Sequence, residues 1–262
     1  MSIPFAIVGA LGRMGQTIAT LSSQSEDLKL KKVFDSVDSS TTNKKYLNFD
    51  LKIEQLENYN NKNELKGIID FSFKTATLSY LTKYRELGLP LVIGTTGYNK
   101  EEEQKIVDVA KHIPLLLGTN MSLGVNLLFS LVEQATRALK DRGFDIEVLD
   151  IHHNKKVDSP SGTSRTLEKI ILKEKVYDDS VLIHGREGVI GKRKPQEVGS
   201  MALRGGDVVG DHTVYFFGDG ERIELKHQAH SRNTFAAGSL NALRFLQGKP
   251  NGLYTMKDVL GI

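Results

Sequence analysis

Two histidines and a lysine stand within five positions at His152, His153 and Lys156, and the segment runs on through Asp158 to Ser161, Gly162 and Thr163. Imidazole titrates near neutral pH, so either histidine can carry a proton during a reaction. A lysine ammonium can donate a proton or neutralise a carboxylate. Ser161-Gly162-Thr163 opens a stretch of helical pattern, and the free N–H groups of a helix start attract anions. These residue types describe a pocket for a small carboxylate substrate beside a proton donor. Each also has a plainer use. His-His pairs are common on surfaces, Ser161 or Thr163 can simply cap a helix, and Lys155 and Lys156 can be a solvated pair. His152, His153, His227 and His230 form no familiar zinc spacing, so no metal is expected. Ser161 lacks the G-x-S-x-G elbow of a hydrolase nucleophile. His230-Ser-Arg232 adds a cation whose default use is ion pairing.

A second chemistry-bearing segment is Gly9-Ala10-Leu11-Gly12-Arg13-Met14-Gly15, which follows an apolar run and opens a helical pattern. Glycines let a backbone turn sharply against a pyrophosphate, and the helix start then holds its charge. The spacing is G-x-x-G-x-x-G, a weak pattern when it stands alone; a tight turn without a ligand is the plainer alternative. Asp35, closing the next apolar run, is where a carboxylate can accept hydrogen bonds from ribose hydroxyls. Gly94-Thr95-Thr96-Gly97 and Gly118-Thr119-Asn120-Met121-Ser122 end two further runs. Ligands of open α/β sheets bind outside the carboxyl ends of strands, so these segments can floor a nucleotide site or be ordinary polar loops.

The elements that must carry these residues alternate. Strands are predicted at Ile3–Val8, Leu28–Asp35, Ile68–Phe71, Leu89–Ile93 and Ile113–Leu117, with a helix opened by a capping pair at Asn99 and Glu102. That grammar implies a parallel sheet with helices on both faces. A helix over Ser122–Leu139 buries Leu128, Leu131, Val132 and Ala135. After it come an extended run at Phe144–Ile151 and a helix at Thr163–Leu172. Extended runs then follow at Val198–Leu203, Val208–Phe217 and Arg222–His230, joined by Gly205-Gly206 and Gly218-Asp219-Gly220, turns that favour antiparallel pairing. A last helix covers Ala236–Leu246. Asp38–Lys45 and Asn58–Glu64 read as solvated loops, and Arg186–Lys194 as a mobile surface loop rather than an anion-binding flap.

The fold class is therefore α/β, a Rossmann-like dinucleotide-binding domain with a second α+β domain carrying a mixed or antiparallel sheet. Residues 1–121, completed by about 235–262, form the first domain and residues 122–234 the second. The 262 residues suffice for two such cores. A net charge of +3 forces no nucleic-acid or membrane partner. With no cysteine, disulfides, thiolate metal sites and cysteine catalysis are excluded. Ile3–Leu11 has no basic segment before it and is followed by Arg13, so it fails as a signal peptide; the chain reads as cytoplasmic.

The chain resembles the 4-hydroxy-tetrahydrodipicolinate (dihydrodipicolinate) reductase family of bacterial lysine and diaminopimelate biosynthesis. The resemblance runs nearly end to end. It rests on Gly9–Gly15, Ile69-Asp-Phe-Ser72, Val92–Gly97, Asn120–Asn126, His152–Thr163, Arg204–His212 and Ser231–Phe235, of which His152–Thr163 is the specific one. It implies reduction of 4-hydroxy-tetrahydrodipicolinate to tetrahydrodipicolinate with NADH, NADPH or both, in a homotetramer built through the second domain's sheet. It implies that Gly9, Ala10, Leu11, Gly12, Arg13 and Met14 hold the dinucleotide, with Asp35 on the ribose. Gly94, Thr95, Thr96, Gly118, Thr119, Asn120 and Met121 line the nicotinamide side. His152 is implied as proton donor or acceptor, Lys156 as proton donor, and His153, Gly162 and Thr163 as contacts to the dicarboxylate, with Ser161 added from the helix-start argument. The chain departs from the family at Ser159, often Ala, at Gly118-Thr119 and Met121, and at Ser36, where many members have Arg. Another nicotinamide oxidoreductase and a non-catalytic dinucleotide sensor are the alternative readings. A thioester-forming semialdehyde enzyme would need a cysteine, and a sensor would not need the histidine–lysine segment.

Overall fold

The structure, a computed structural model, describes residues 2–36 and 45–262; of the stretch Asp38–Lys45, residues 38–44 lie outside it. In chain order the elements are β1 (Ile3–Val8), α1 (Arg13–Ser22), β2 (Leu28–Phe34), β3 (Ile53–Glu54), β4 (Ile68–Asp70), α2 (Lys74–Ser79) and α3 (Leu81–Leu87). Next are β5 (Leu91–Ile93), α4 (Lys100–Ala110), β6 (Pro114–Leu117), α5 (Leu123–Leu139), β7 (Asp145–His152) and α6 (Gly162–Lys175). Then follow β8 (Leu182–Ile183), β9 (Val198–Arg204), β10 (Gly210–Gly218), β11 (Glu221–Ala229), α7 (Asn233–Leu246), β12 (Gly252–Tyr254) and α8 (Met256–Leu260). They form two compact units, Met1–Leu123 with Arg232–Ile262, and Gly124–Ser231.

The first unit is built on a seven-stranded parallel sheet in the order β12-β6-β5-β4-β1-β2-β3. Strand direction of growth reverses between β1 and β4, so the crevice for a ligand lies at the carboxyl ends of those two strands. Its inner strands β1, β4, β5 and β6 are largely apolar because both faces are covered, whereas β2 and β3 toward one edge carry Lys29, Lys31, Lys32 and Glu54. Phe5, Ile7, Ile69, Val92 and Leu116 pack into one core with Ile18, Leu240 and Leu243. Their neighbours Ala6, Val8, Ile68, Leu91 and Leu115 pack into the other with Tyr84, Ile106 and Val109. The period of two divides one apolar run between two helix layers. The capping box expected at the start of α4 is formed: Asn99 Oδ1 accepts from Glu102 N–H at 2.9 Å and Glu102 accepts from Asn99 N–H at 2.8 Å.

The second unit carries a five-stranded mixed sheet in the order β11-β10-β7-β9-β8. The turn at Asp219-Gly220 makes an antiparallel hairpin of β10 and β11, as expected. The link through Gly205-Gly206 does not. β7 lies between β9 and β10, parallel to the first and antiparallel to the second, so that link crosses over β7 instead of pairing its own flanks. Leu131 is also a correction. It is 41% exposed, and α5 buries Val125, Leu128, Phe129 and Val132 instead. Arg186–Lys194 is tied down rather than simply solvated: Arg186 holds Glu147 with two 2.9 Å bonds, and Arg193 reaches Asp145 at 2.6 Å. In the loop at Asn58–Glu64, Tyr59 is buried and packs on Phe34.

Candidate active site

In the first unit, the turn from β1 into α1 can be made only by glycine at Gly9. Its φ is +79°, and a Cβ there would lie 2.6 Å from the Phe71 carbonyl oxygen at the end of β4. Gly15 likewise lets α1 rest on the turn, since a Cβ would lie 2.3 Å from the Gly9 oxygen. Gly12 caps α1 without any side-chain hydrogen bond, and the first turn holds no acid. The N–H groups of Arg13 and Met14 therefore begin a helix with no side-chain cap and no acid in its first turn, which suits a pyrophosphate. Asp35 stands just past β2, its Oδ2 accepting from Leu11 N–H and its Oδ1 from Ser36 N–H, both at 2.8 Å. Tyr46 donates its hydroxyl to the Ala10 carbonyl at 2.7 Å and braces the same turn from outside it.

The neighbouring strand ends meet this turn. Thr95 is buried and bonds the Ser72 carbonyl at 3.2 Å, while the Phe71 ring fills the space beside Gly94. Thr96 follows on the exposed part of that loop. Beyond β6, Gly118 and Thr119 lead to Asn120, whose side chain accepts from Ser122 N–H at 2.9 Å, and Met121 is buried with its sulfur over Gly118. Asp70, fully buried at the end of β4, accepts from Ser72 N–H, Ser72 Oγ and Tyr84 Oη at 2.8, 2.6 and 2.7 Å. It sets the loop beside Gly9. Its sequence signal was its place at a strand end.

In the second unit, the period of β7 puts Asp150 and His152 on the buried face with Ile146 and Val148. His212 stands opposite Asp150 on β10, and Arg204 is in register with His152 on β9. Ser161 caps α6, its Oγ accepting from Ser164 N–H at 3.1 Å. It is only 2% exposed, and its own N–H goes to Asp150. Gly162 is exposed and Thr163 half-buried at the same helix start. His153 follows β7, its N–H bound to the Val208 carbonyl at 2.8 Å and its Nδ1 accepting from Lys155 N–H at 3.2 Å. Lys156 Nζ lies 2.7 Å from Asp158 Oδ1.

The electrostatics of this group are set by burial. Burial would raise Asp150, but hydrogen bonds from Arg204 and Ser161 outweigh it and hold the carboxyl down to about 2. Burial lowers His152 to about 4 against the pull of Asp150, so its imidazole is neutral at pH 7. Burial and the neighbouring His152 lower His212 to about 3. Of the histidines weighed as metal ligands, only His152 joins a cluster among the described residues. Its partners are Asp150 and His212, with ligand atoms within 4.8 Å of one another, and Arg204 already places a cation on that carboxylate. Asp150, Arg204 and His212 stand in segments the sequence singles out but have no role assigned there, because Arg204 and His212 are remote in sequence and Asp150 sits in a strand pattern; Asp150 is two residues before His152, hence on its face. Arg232 has no acidic partner among the described residues.

Family models for dihydrodipicolinate reductase match both halves, the N-terminal part over residues 3–121 and the C-terminal part over residues 124–260. The chain belongs to the dihydrodipicolinate reductase family. Membership makes it an oxidoreductase that uses NADH or NADPH. Among relatives, the 4-hydroxy-tetrahydrodipicolinate reductase of Nitrosomonas eutropha is 42% identical over 98% of this chain and 97% of its own. That of Aquifex aeolicus is 44% identical over the full length of both. A dipicolinate-bound dihydrodipicolinate reductase from Paenisporosarcina sp. TG-14 has the same fold, with a TM-score of 0.79 at 20% identity over 97% of this chain and 98% of that one. An amine dehydrogenase from Mycobacterium smegmatis shares the fold alone, with a TM-score of 0.61 at 9% identity over 98% and 95% of the two chains. Among the described residues no helix is long and apolar enough to cross a membrane.

Proposed function

We infer that this chain reduces 4-hydroxy-tetrahydrodipicolinate to tetrahydrodipicolinate in lysine and diaminopimelate biosynthesis, with NADH or NADPH as reductant. The observation that carries this reading is the match of both family halves across nearly the whole chain, at 40–48% identity to reductases of that name. The first unit serves as the dinucleotide-binding domain and the second as the substrate-binding domain.

The glycine cradle, the uncapped start of α1 and Asp35 fit a dinucleotide, with Gly9–Met14 on the pyrophosphate and Asp35 on the ribose. Gly94–Thr96 and Gly118–Met121 take its nicotinamide end. When bound, the reduced nicotinamide supplies the hydride. His153, Lys156 and the start of α6 at Ser161–Thr163 receive the two carboxylates of the substrate, Ser161 acting from beneath as the cap. Lys156 leaves Asp158 to neutralise a carboxylate and donates the proton with which the hydroxyl departs as water. His152 exchanges a proton with the reacting ring. A dianion beside His152 raises the proton affinity of a ring that is neutral in the free protein, so substrate brings the acid into being as it binds. The protein's share is positioning and charge neutralisation.

A homotetramer fits the second sheet. Its outer face carries Leu149, Ile151, Met201, Leu203, Tyr215 and Phe217 among Asp145, Glu147, Asp211 and Thr213, more apolar side chains than a solvated sheet face needs. Sedimentation equilibrium checks this, and a monomer would sink it. The reaction is tested by supplying the product of dihydrodipicolinate synthase and following NAD(P)H absorbance. Stoichiometric loss of absorbance is expected; no loss with either coenzyme would exclude the reading.

A further inference from the structure

Asp150 is a fully buried carboxylate on the same face of β7 as His152. Its Oδ1 accepts from Arg204 Nη1 at 2.7 Å. Its Oδ2 accepts from Ser161 N–H at 2.8 Å and Ser164 Oγ at 3.0 Å. Donors from β9 and from the start of α6 thus immobilise both oxygens. The carboxylate cannot swing to bond His152 fully, and the Nδ1 of that ring stays 3.8 Å away with no other hydrogen-bond partner. His212 completes the wall. Its Nε2 lies 3.0 Å from Ser161 Oγ, and its ring meets that of His152 edge-on, with centroids 5.1 Å apart.

A proton-carrying imidazole has two needs. It must stay neutral between turnovers and be stabilised when it holds the proton. A full hydrogen bond to a free carboxylate would favour the charged ring permanently. A carboxylate held at 3.8 Å, with Arg204 already on it, pulls less, and directionally. We propose that Asp150 and His212 are positioning residues for His152: Asp150 is the fixed negative charge that Nδ1 faces when the ring is protonated, and His212, anchored by Ser161, fixes the ring plane. Lys156 and Asp158 from the following loop and Arg204 from β9 are the other charges that act on His152. The same three side chains do not make a cation site in this arrangement, because three donors already occupy the carboxylate.

The proposal rests on His152 carrying the proton, which His152→Gln tests by itself. The experiment here compares Asp150→Asn, His212→Phe and His212→Gln in the intact protein. The readouts are kcat and KM across pH, pyridine-2,6-dicarboxylate affinity, and the NMR titration of His152. Asp150→Asn should lower kcat about tenfold or more and move the His152 titration to lower pH, with KM held within about twofold. His212→Phe should lower kcat with analogue affinity unchanged, and His212→Gln, which can still bond Ser161, should recover part of it. A kcat and a His152 titration both at wild-type values in Asp150→Asn would overturn the proposal. If that variant does not fold, wild-type values in His212→Phe would do so. A rise in KM at constant kcat would also overturn it, since it assigns these groups to binding. If His152→Gln keeps full kcat, the catalytic reading itself falls and takes this proposal with it; if only Asp150→Asn and His212→Phe are silent, this proposal alone falls.

Discussion

Ser161 Oγ lies 3.0 Å from Nε2 of His212, so the residue that caps α6 is bonded to a histidine on β10. The helix start that is read as the carboxylate site and the strand that backs His152 are therefore one hydrogen-bonded body. The distance between the proposed carboxylate site and His152 is therefore set by α6, β10 and β7 through short, buried side chains, while Lys156 remains on a longer one.

Removal of the imidazole tests the centre of that body. His152→Gln should lower kcat by about 10²–10⁴-fold, the usual share of a general acid–base group, and leave coenzyme affinity unchanged. Steady-state kinetics with coenzyme titrations by fluorescence check both halves of this expectation.

Substrate-linked protonation has a direct readout. Because His152 is lowered to about 4 by burial, it is neutral in the free protein at pH 7, and a bound dianion raises it. Binding of pyridine-2,6-dicarboxylate should take up protons near pH 6, seen as a calorimetric enthalpy that varies with buffer ionisation heat. Lys156→Ala should weaken the analogue, since it removes the ammonium that Asp158 now holds at 2.7 Å. Equal enthalpies in all buffers, or unchanged affinity in Lys156→Ala, would contradict the assignment of charges.

Stability should also depend on pH with a definite sign. His212, 3% exposed, is lowered by burial to about 3 from 6.5, and His152 to about 4. A histidine lowered in the folded state binds its proton more readily when unfolded. Its contribution is complete above pH 6.5 and is lost as the pH falls from 6.5 toward the folded value. Each histidine should therefore cost about 1.4 kcal/mol per pH unit between roughly pH 6 and 4. Thermal melts over pH 7.5–4.5 should fall, and His212→Gln should flatten the slope.

Coenzyme choice turns on Asp35. Its carboxylate is held by Leu11 N–H and Ser36 N–H, both at 2.8 Å, and in the proposed coenzyme site it would accept from ribose hydroxyls and repel a 2′-phosphate. Lys32 is paired with Glu54 at 2.7 Å, and Lys31 and Lys32 both lie earlier on β2 than Asp35. NADH should be used at least as well as NADPH. Ser36→Arg should shift kcat/KM toward NADPH, and Asp35→Gly should weaken NADH. A strong NADPH preference in the unaltered protein would refute this argument.

Much of this was legible from local pattern. Strand β1, the glycine turn and the Asn99–Glu102 cap follow from the period of apolar residues and the chemistry of helix starts, both local rules. The short strands β3, β8 and β12 have two or three residues each, too few for a period to register. The interposition of β7 between β9 and β10 is a long-range choice that no turn residue encodes. For the site, His152 and Lys156 declare themselves by type and spacing. Asp150, Arg204 and His212 meet only through the register of three strands, which local patterns do not carry.

The first unit is closed by elements made last. Leu240, Leu243 and Leu246 of α7 cover the same side of the first sheet as Phe5, Ile7, Ile69 and Val92, and β12 extends that sheet beside β6. During synthesis that apolar sheet face has only α1 over it, and lacks the cover of α7 while all of residues 124–231 are made. The later-starting unit has its whole sequence available first, and the first unit completes its core only once residues 232–262 have followed. A chain truncated after Ser231 should accordingly keep the second unit protected from proteolysis while the first binds hydrophobic dye.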